Sequence, residues 1–455
     1  MIKRTLKQIE EMAKGTGLHS TFEQLHINGV ANDTRKELKG CLYVPIVGEN
    51  FNGHTFTEQA IKEKGAVASF WQKDQPSPPK DVPLIFVEDT IEALQNLASS
   101  YRDQLHLKVV GITGSNGKTT TKDIVTSVLQ KKYKVHKTAG NYNNHIGLPL
   151  TILSMTEDVE VAVLEMGMSG RGEIELLSNI ARPDAAIITN IGESHLQELG
   201  SREGIAEAKL EIAVGLKEDG VLIINGDEPL LTNNPVCQKE NIIRFGILPE
   251  NDLVAESIDL KPDGTNFKVS ESEFFIPVLG KHNVTNALAA IAVSNHLELT
   301  DEQVKQGLQE VSITGMRNEV IHAQSGWTII NDAYNASPTS MKAAIDLLTG
   351  LTGFNQKIVV LGDMLELGDL EKEFHQETGR HINDKEINYV FTYGELGEEI
   401  AKGAREKMSA DRVFSFQDKE ALTRTLLEKI SNKDVVLVKA SRGMKLEEVV
   451  NGINR

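Results

Sequence analysis

From about Leu107 onward, short apolar runs recur along the chain, each followed by a turn and a stretch with helical spacing of apolar residues. LKVVGIT (107–113) precedes SNGKTTTKDIVTSVLQKK, and VAVLEMG (161–167) leads into a glycine-rich turn. AAIITNIG (185–192) precedes EGIAEAKLEIAVGLKE, and GVLIING (220–226) follows it. Strands that read as continuous β-branched runs, without alternation, are buried on both faces. The pattern therefore predicts a mostly parallel sheet with helices on both sides. Residues 251–279 break the pattern and predict hairpins, with Asp263-Gly264 as the strongest turn signal. A helix begins near His282. A second series follows Gly315: WTIINDAY (327–334), KIVVLGDM (357–364), NYVFTYG (388–394) and DVVLVKAS (434–441), alternating with helical stretches. The first 100 residues are less regular. CLYVPIVG (41–48) and PLIFVED (83–89) predict strands and HTFTEQAIKEKGA (54–66) a helix. QKDQPSPPKDVP, with four of the 13 prolines, predicts an exposed loop.

The fold class is thus α/β, divided at about residues 1–100, 101–314 and 315–455. A length of 455 residues suits three domains. With 48 Lys+Arg against 65 Asp+Glu the net charge is −17, which repels phosphate backbones and argues against nucleic-acid binding. A small phosphorylated ligand in a locally basic cleft stays compatible with it. Cys41 and Cys237 are too few for a disulfide framework or a cysteine-based zinc site. The N-terminus lacks the apolar run of a signal peptide, and no stretch approaches the roughly 18–20 apolar residues of a membrane span. A cytoplasmic, monomeric protein is the expectation.

The sharpest chemical signal is GITGSNGKTTT, Gly111 to Thr121, between a predicted strand and a predicted helix. Glycines let backbone N–H groups approach phosphate oxygens, a helix N-terminus adds partial positive charge, and a lysine reaches the terminal phosphates. The spacing Gly114-Ser115-Asn116-Gly117-Lys118-Thr119 is shorter than the usual phosphate loop, which would need glycine at Ile112. The competing reading is a glycine turn beside a surface lysine.

TGSNGKTTT resembles the ATP loop of the Mur ligase family, whose members join an amino acid or peptide to a carboxylate and which includes folylpolyglutamate synthases. Further motifs match in order over nearly the whole chain. The resemblance implies that Gly114, Ser115, Asn116, Gly117, Lys118, Thr119 and Thr120 hold ATP, with Thr119 on its magnesium. In LEMGMSGRGEIE it makes Glu165 a metal ligand. In NIGESHLQELGSREGIAEAKLEI it places His195 on a second Mg²⁺. It also makes Lys209, fourteen residues on, a lysine carbamylated by CO₂. Bare, these two would read as a structural histidine and a solvated helix lysine. Carbamylation requires a neutral amine, which desolvation favours. In GKHNVTNALAAIAV the family's adenine contact falls on Asn286, while Asn283 reads equally as a helix cap. Arg317 in TGMRNEV matches a γ-phosphate contact, and Asp332 in NDAYNASPTSMKAAI a ribose contact.

Residues 1–100 resemble the family's uridine-nucleotide module, with Thr34, Arg35, Asn52, Gly53 and His54 at matching positions; a plain turn explains Asn52-Gly53 as well. Asn143 and Asn144 match substrate contacts. The resemblance makes 101–314 an ATP-binding ligase domain and 315–455 a Rossmann-like ligase domain. Within the latter, LGDMLELGDLEKEFH (361–375) and LVKASRGMKLEEVV (437–450) are similar to the members that add D-alanyl-D-alanine to UDP-N-acetylmuramoyl-tripeptide. Lys439, Ser441 and Arg442 are the candidates there for the dipeptide or γ-phosphate side, or simply for a strand-to-helix turn capped by serine. Catalysis would rest on Lys118, Glu165, His195, Lys209 and Arg317. The alternatives are the sibling that adds the third stem residue, a folylpolyglutamate synthase, or a nucleotide-regulated binding module without catalysis.

Overall fold

The computed structural model describes residues 1–238, 241–261 and 263–454. The chain divides into two compact units. One comprises Met1–Thr113, Tyr133–Ala186 and Glu211–Val221; the other comprises Gly114–Lys132, Ile187–Leu210 and Leu222–Arg455.

In the first unit, strands Val30–Ala31, Leu42–Tyr43, Ala68–Gln72 and Leu84–Val87 form a four-stranded parallel sheet in that order. The run 41–48 yields only Leu42–Tyr43, because Pro45 supplies no N–H for a ladder. The predicted helix at 54–66 begins as a 3₁₀ turn, Gly53–Phe56, and is α-helical only over Thr57–Lys62. Three further parallel strands lie in the order Val135–Lys137, Val161–Glu165, Lys108–Thr113. Glu165 ends its own strand, and the register sets it beside Ile112, near the carboxyl end of the neighbouring strand Lys108–Thr113. Strand ends of that kind are where open α/β sheets bind ligands.

The second unit opens with helix Lys118–Leu129 and contains helices Arg202–Leu210 and Lys281–His296. The run EGIAEAKLEIAVGLKE is shorter as a helix than its spacing predicts, since α-helix gives way to a 3₁₀ turn at Glu211–Ala213. Residues 256–276 form an antiparallel three-stranded sheet, with the turn at Asp263 between Glu256–Lys261 and Gly264–Val269.

Its largest sheet has six strands, in the order Glu319–His322, Thr328–Asp332, Val435–Lys439, Lys357–Gly362, Tyr389–Tyr393, Val413–Phe416. The first pair is antiparallel and the others parallel. Successive residues of the central strands enter different cores. Ile330, Val359, Leu361, Val435 and Leu437 pack with the apolar residues of helices Pro338–Gly350 and Gly397–Arg405. Ile329, Ile358, Val360, Val436 and Val438 pack with those of Lys419–Lys429 and Glu447–Ile453. Burial on both faces is why these strands read as unbroken apolar runs.

Candidate active site

The glycine loop forms as its sequence requires. Gly117 adopts φ +80° at the N-cap of helix Lys118–Leu129, where no side chain caps the helix. Gly114 has φ +149°, a conformation that side-chain-bearing residues rarely adopt, and a Cβ there would stand 1.8 Å from the Thr189 hydroxyl. A Cβ on Gly117 would meet the Asn286 amide at 2.7 Å. Both glycines are therefore fixed by close approach as well as by backbone angle. Gly114→Ala should cost nucleotide affinity at least about tenfold, since relieving that overlap moves the loop backbone. Calorimetric titration with a non-hydrolysable ATP analogue measures this. Unchanged affinity would mean that the loop backbone holds no phosphate.

Thr189 and Asn190 grip the loop. The backbone N–H of Asn116 donates to Asn190 Oδ1 at 2.9 Å, while Asn190 Nδ2 and Thr189 Oγ1 both donate to the Asn116 carbonyl, at 3.0 and 2.6 Å. Sequence reasoning gave neither residue a role. Their motif was visible, but the clamp depends on a non-local neighbour. Lys118 Nζ donates to the Gly114 carbonyl at 2.7 Å. The hydroxyls of Ser115 and Thr121 are buried without a hydrogen-bond partner. Buried unsatisfied donors at a helix N-terminus are what an anion would satisfy.

His195 and Lys209 join Lys118 in one electrostatic cluster. His195 has its pKa pulled down to about 4, first by burial and then by Lys118 and Lys209. Lys209 is 1% exposed, and burial followed by the Lys118 charge drives its pKa well below the ordinary lysine range. Both groups are thus pushed toward their neutral forms beside the Lys118 ammonium, which leaves Lys118 to offer positive charge to an anionic ligand. Among the described residues, no three His, Cys, Asp or Glu side chains gather into a group that could hold a metal ion.

Arg317 stacks on Tyr334, its guanidinium carbon 3.8 Å from the ring centroid, and its Nη1 is buried without a partner. Met316 and Asn318 on either side both have left-handed backbone, at φ 62° and 52°. Asn318 is anchored by its N–H to Asp332 at 3.2 Å, and its amide lies 3.2 Å from the His282 ring. Asp332 also receives Lys439 Nζ at 2.5 Å.

Asn286 stands beside Gly117, donating to Asn283 Oδ1 at 3.0 Å. Asn283 does not cap its helix, contrary to expectation. Gly280 is the N-cap, and Asn283 Nδ2 donates to the Leu279 carbonyl. Ser441 does not cap with its side chain either: its hydroxyl accepts from the Leu365 N–H at 3.0 Å. Arg442 pairs with Glu447 at 2.7 Å. The side chains of Thr119 and Thr120 are buried in the first turn after the loop.

In the first unit, Glu165 is buried and accepts from Asn143 Nδ2 at 2.9 Å. Asn144 Oδ1 caps the turn entering helix Gly147–Leu153, accepting from Gly147 N–H at 2.8 Å. Asn52 Oδ1 accepts from the His54 N–H, and the buried His54 ring accepts from Gln72 N–H and lies edge-on to Trp71. A Cβ on Gly53 would meet the Ile46 backbone at 2.6 Å. Asn52, Gly53 and His54 are accordingly occupied in building a turn. Arg35 is exposed and pairs with Asp33, next to Thr34.

Three family models match: the Mur ligase family catalytic domain over residues 26–102, the Mur ligase middle domain over 112–294, and the Mur ligase glutamate ligase domain over 316–442. The chain is 55% identical to the UDP-N-acetylmuramoyl-tripeptide–D-alanyl-D-alanine ligase of Bacillus subtilis (strain 168), across 100% of this chain and 99% of that one. It matches the crystal structure of MurF from Acinetobacter baumannii with a TM-score of 0.90 at 30% identity, covering 99% of this chain and 98% of that one. MurF ligase from Thermotoga maritima, solved with ADP, matches at TM-score 0.84 and 31% identity, over 94% and 97% of the two chains. With all three models matched in order and a relative of this identity along its full length, the chain belongs to the Mur ligase family.

Proposed function

We propose that the chain is an ATP-dependent ligase that joins D-alanyl-D-alanine to UDP-N-acetylmuramoyl-tripeptide, releasing ADP and phosphate and giving the pentapeptide precursor of peptidoglycan. The observation that carries this reading is the 55% identity over the full length to a Bacillus enzyme of that name. That extent favours it over the sibling ligases and the folylpolyglutamate synthases. The glycine loop, with Lys118 beside a buried Lys209 held toward its neutral form, supports catalysis over mere nucleotide binding.

In this reading residues 1–100 take the uridine nucleotide, 101–314 take ATP and 315–455 take the dipeptide. Loop backbone donors and Lys118 hold the ATP phosphates, Asn286 approaches the adenine and Asp332 the ribose. Arg317, with an unsatisfied buried Nη1, reaches the γ-phosphate. The tripeptide's terminal carboxylate attacks the γ-phosphorus. A carboxylate oxygen–phosphorus bond forms and the bond to the ADP oxygen breaks. Lys118 and Arg317 stabilise charge on the transferred group. The dipeptide amine then attacks the acyl phosphate carbonyl, loses a proton and expels phosphate. Activation is needed because a carboxylate is a poor electrophile.

Magnesium fits this donor set. Mg²⁺ takes one or two protein ligands and completes its shell with phosphate oxygens and water, so the lack of a three-residue cage is consistent with it. Thr119, Glu165, His195 and a Lys209 carbamate would hold two such ions, which supply charge neutralisation on the phosphates. The depressed Lys209 supports the carbamate, since only a neutral amine adds CO₂. Asn143, Asn144, Thr34, Arg35, Lys439, Ser441 and Arg442 complete the proposed substrate contacts. No helix among the described residues is long and apolar enough to cross a membrane. A cytoplasmic monomer is our reading of the address and state.

The test is phosphate release with ATP, Mg²⁺ and UDP-N-acetylmuramoyl-tripeptide, with and without D-alanyl-D-alanine. Release dependent on every component, with a product heavier by the dipeptide, is expected. Release only with a single amino acid and a shorter nucleotide precursor would move the protein to a sibling activity.

A further inference from the structure

The segment that carries Arg317 is tied down on both sides. Before it, the N–H and the hydroxyl of Thr314 both donate to Asp123 Oδ2, at 2.9 and 2.7 Å. Asp123 belongs to helix Lys118–Leu129, so this tie runs to the helix that starts at the loop lysine. After it, the Asn318 N–H donates to Asp332 Oδ1 at 3.2 Å, at the end of strand Thr328–Asp332. The Met316 N–H donates to Glu319 Oε2 at 3.0 Å, and Asn331 Nδ2 donates to the same oxygen at 3.0 Å. Met316 and Asn318 are left-handed without being glycine, so each conformation costs energy, and such strain persists only where the surroundings over-determine it. These hydrogen bonds do so, and they fix the backbone of the one residue between the two strained positions.

Tyr334 meets this segment twice. Its N–H donates to the Met316 carbonyl at 3.3 Å, and its ring lies against the Arg317 guanidinium, whose carbon is 3.8 Å from the ring centroid. An aromatic face attracts a guanidinium while leaving the N–H groups in the guanidinium plane free for an anion. Arg317 Nη1 fits that description, being buried with no hydrogen-bond partner. An arginine without such support gives up rotamer freedom each time it meets an anion, whereas a stacked one has given it up on folding. We propose that Tyr334 is a positioning residue: the face of its ring holds the Arg317 guanidinium ready for the transferred phosphoryl group before the nucleotide arrives. This inference rests on the ligase reading for the identity of that group, though not for the geometry of the stack. The phenol hydroxyl takes no part. Because the charge on the phosphoryl group that Arg317 meets builds up in the transition state, loss of the stack lowers kcat more than it raises KM.

The test compares Tyr334→Phe and Tyr334→Leu in the full chain. Phenylalanine keeps the ring face, and leucine keeps an apolar side chain without one. The ¹H–¹⁵N heteronuclear NOE of the Arg317 Nε–H, assigned by its loss in Arg317→Lys, reads the mobility of the guanidinium with no substrate present. An ordered Nε–H is expected in the unsubstituted protein and in Tyr334→Phe, and a mobile one in Tyr334→Leu. In Tyr334→Leu kcat should be about tenfold lower, in Tyr334→Phe within about twofold, with KM for ATP within about twofold in both. An Nε–H as ordered in Tyr334→Leu as in the unsubstituted protein would overturn the proposal, whatever the activity or Tm. So would an arginine already mobile in the unsubstituted protein. A mobile arginine with unchanged kcat would mean that the reaction does not use the stack, and would overturn it equally. The expected change of mobility in a protein without ligase turnover would uphold the positioning of Arg317 while removing the ligase reading.

Discussion

Lys118→Ala is expected to lower phosphate release about 10²–10³-fold, the loss typical of removing one charged donor aimed at a transition state. The fold should survive. The side chain donates to the Gly114 and Ser115 carbonyls, at 2.7 and 3.5 Å, bonds worth about 1 kcal/mol each, and alanine suits the first turn of helix Lys118–Leu129. A second signature distinguishes loss of charge from loss of shape. The Lys118 ammonium helps depress both His195 and Lys209, so in the variant both should move back toward their ordinary values without reaching them, because burial is the larger cause for each. Phosphate release together with a thermal melt measures the first claim, and a histidine titration followed by NMR the second. Near-normal release would remove the phosphate-loop assignment. A His195 pKa that stays at about 4 would mean Lys118 does not act on it electrostatically.

What could be read from the sequence was what is local. The glycine loop declared itself because its chemistry sits in seven consecutive residues, Gly114 to Thr120, and the paired apolar runs of the last domain declared a sheet covered on both faces. Partners distant in sequence were hidden. Nothing in ITNIGESH says that Thr189 and Asn190 would close on the Asn116 carbonyl, because that depends on which segments the fold brings together. Local reasoning also misjudged caps. Asn283 and Ser441 are residue types that favour helix starts, yet the nearby Leu279 carbonyl claims the first side chain and the distant Leu365 N–H the second. At Asn52, Gly53 and His54 the family match and the plain turn made the same sequence prediction, and the structure shows how thoroughly the turn uses them.

Lys209→Met should separate stability from activity. Methionine fills a similar volume without a charge, so the buried site no longer penalises an ammonium. The sign follows from proton linkage. With its folded pKa far below the unfolded value of about 10.4, Lys209 binds fewer protons in the folded state across the interval between the two. Stability therefore rises with pH through that interval, and at neutral pH the ionisable lysine is a net cost. The variant should melt at a higher temperature than the unsubstituted protein at neutral pH. Its advantage should shrink as pH approaches about 10. Ligase turnover should fall at least about 10²-fold, because methionine can neither add CO₂ nor become an anion facing the phosphate cluster. Stripping CO₂ and bicarbonate should lower the activity of the unsubstituted protein, and the residual activity of the variant should not respond. Melting curves across pH and phosphate release in CO₂-free buffer check both halves. A variant that is stabilised and fully active would leave Lys209 as a buried lysine with no part in the reaction, and with it the carbamate would go.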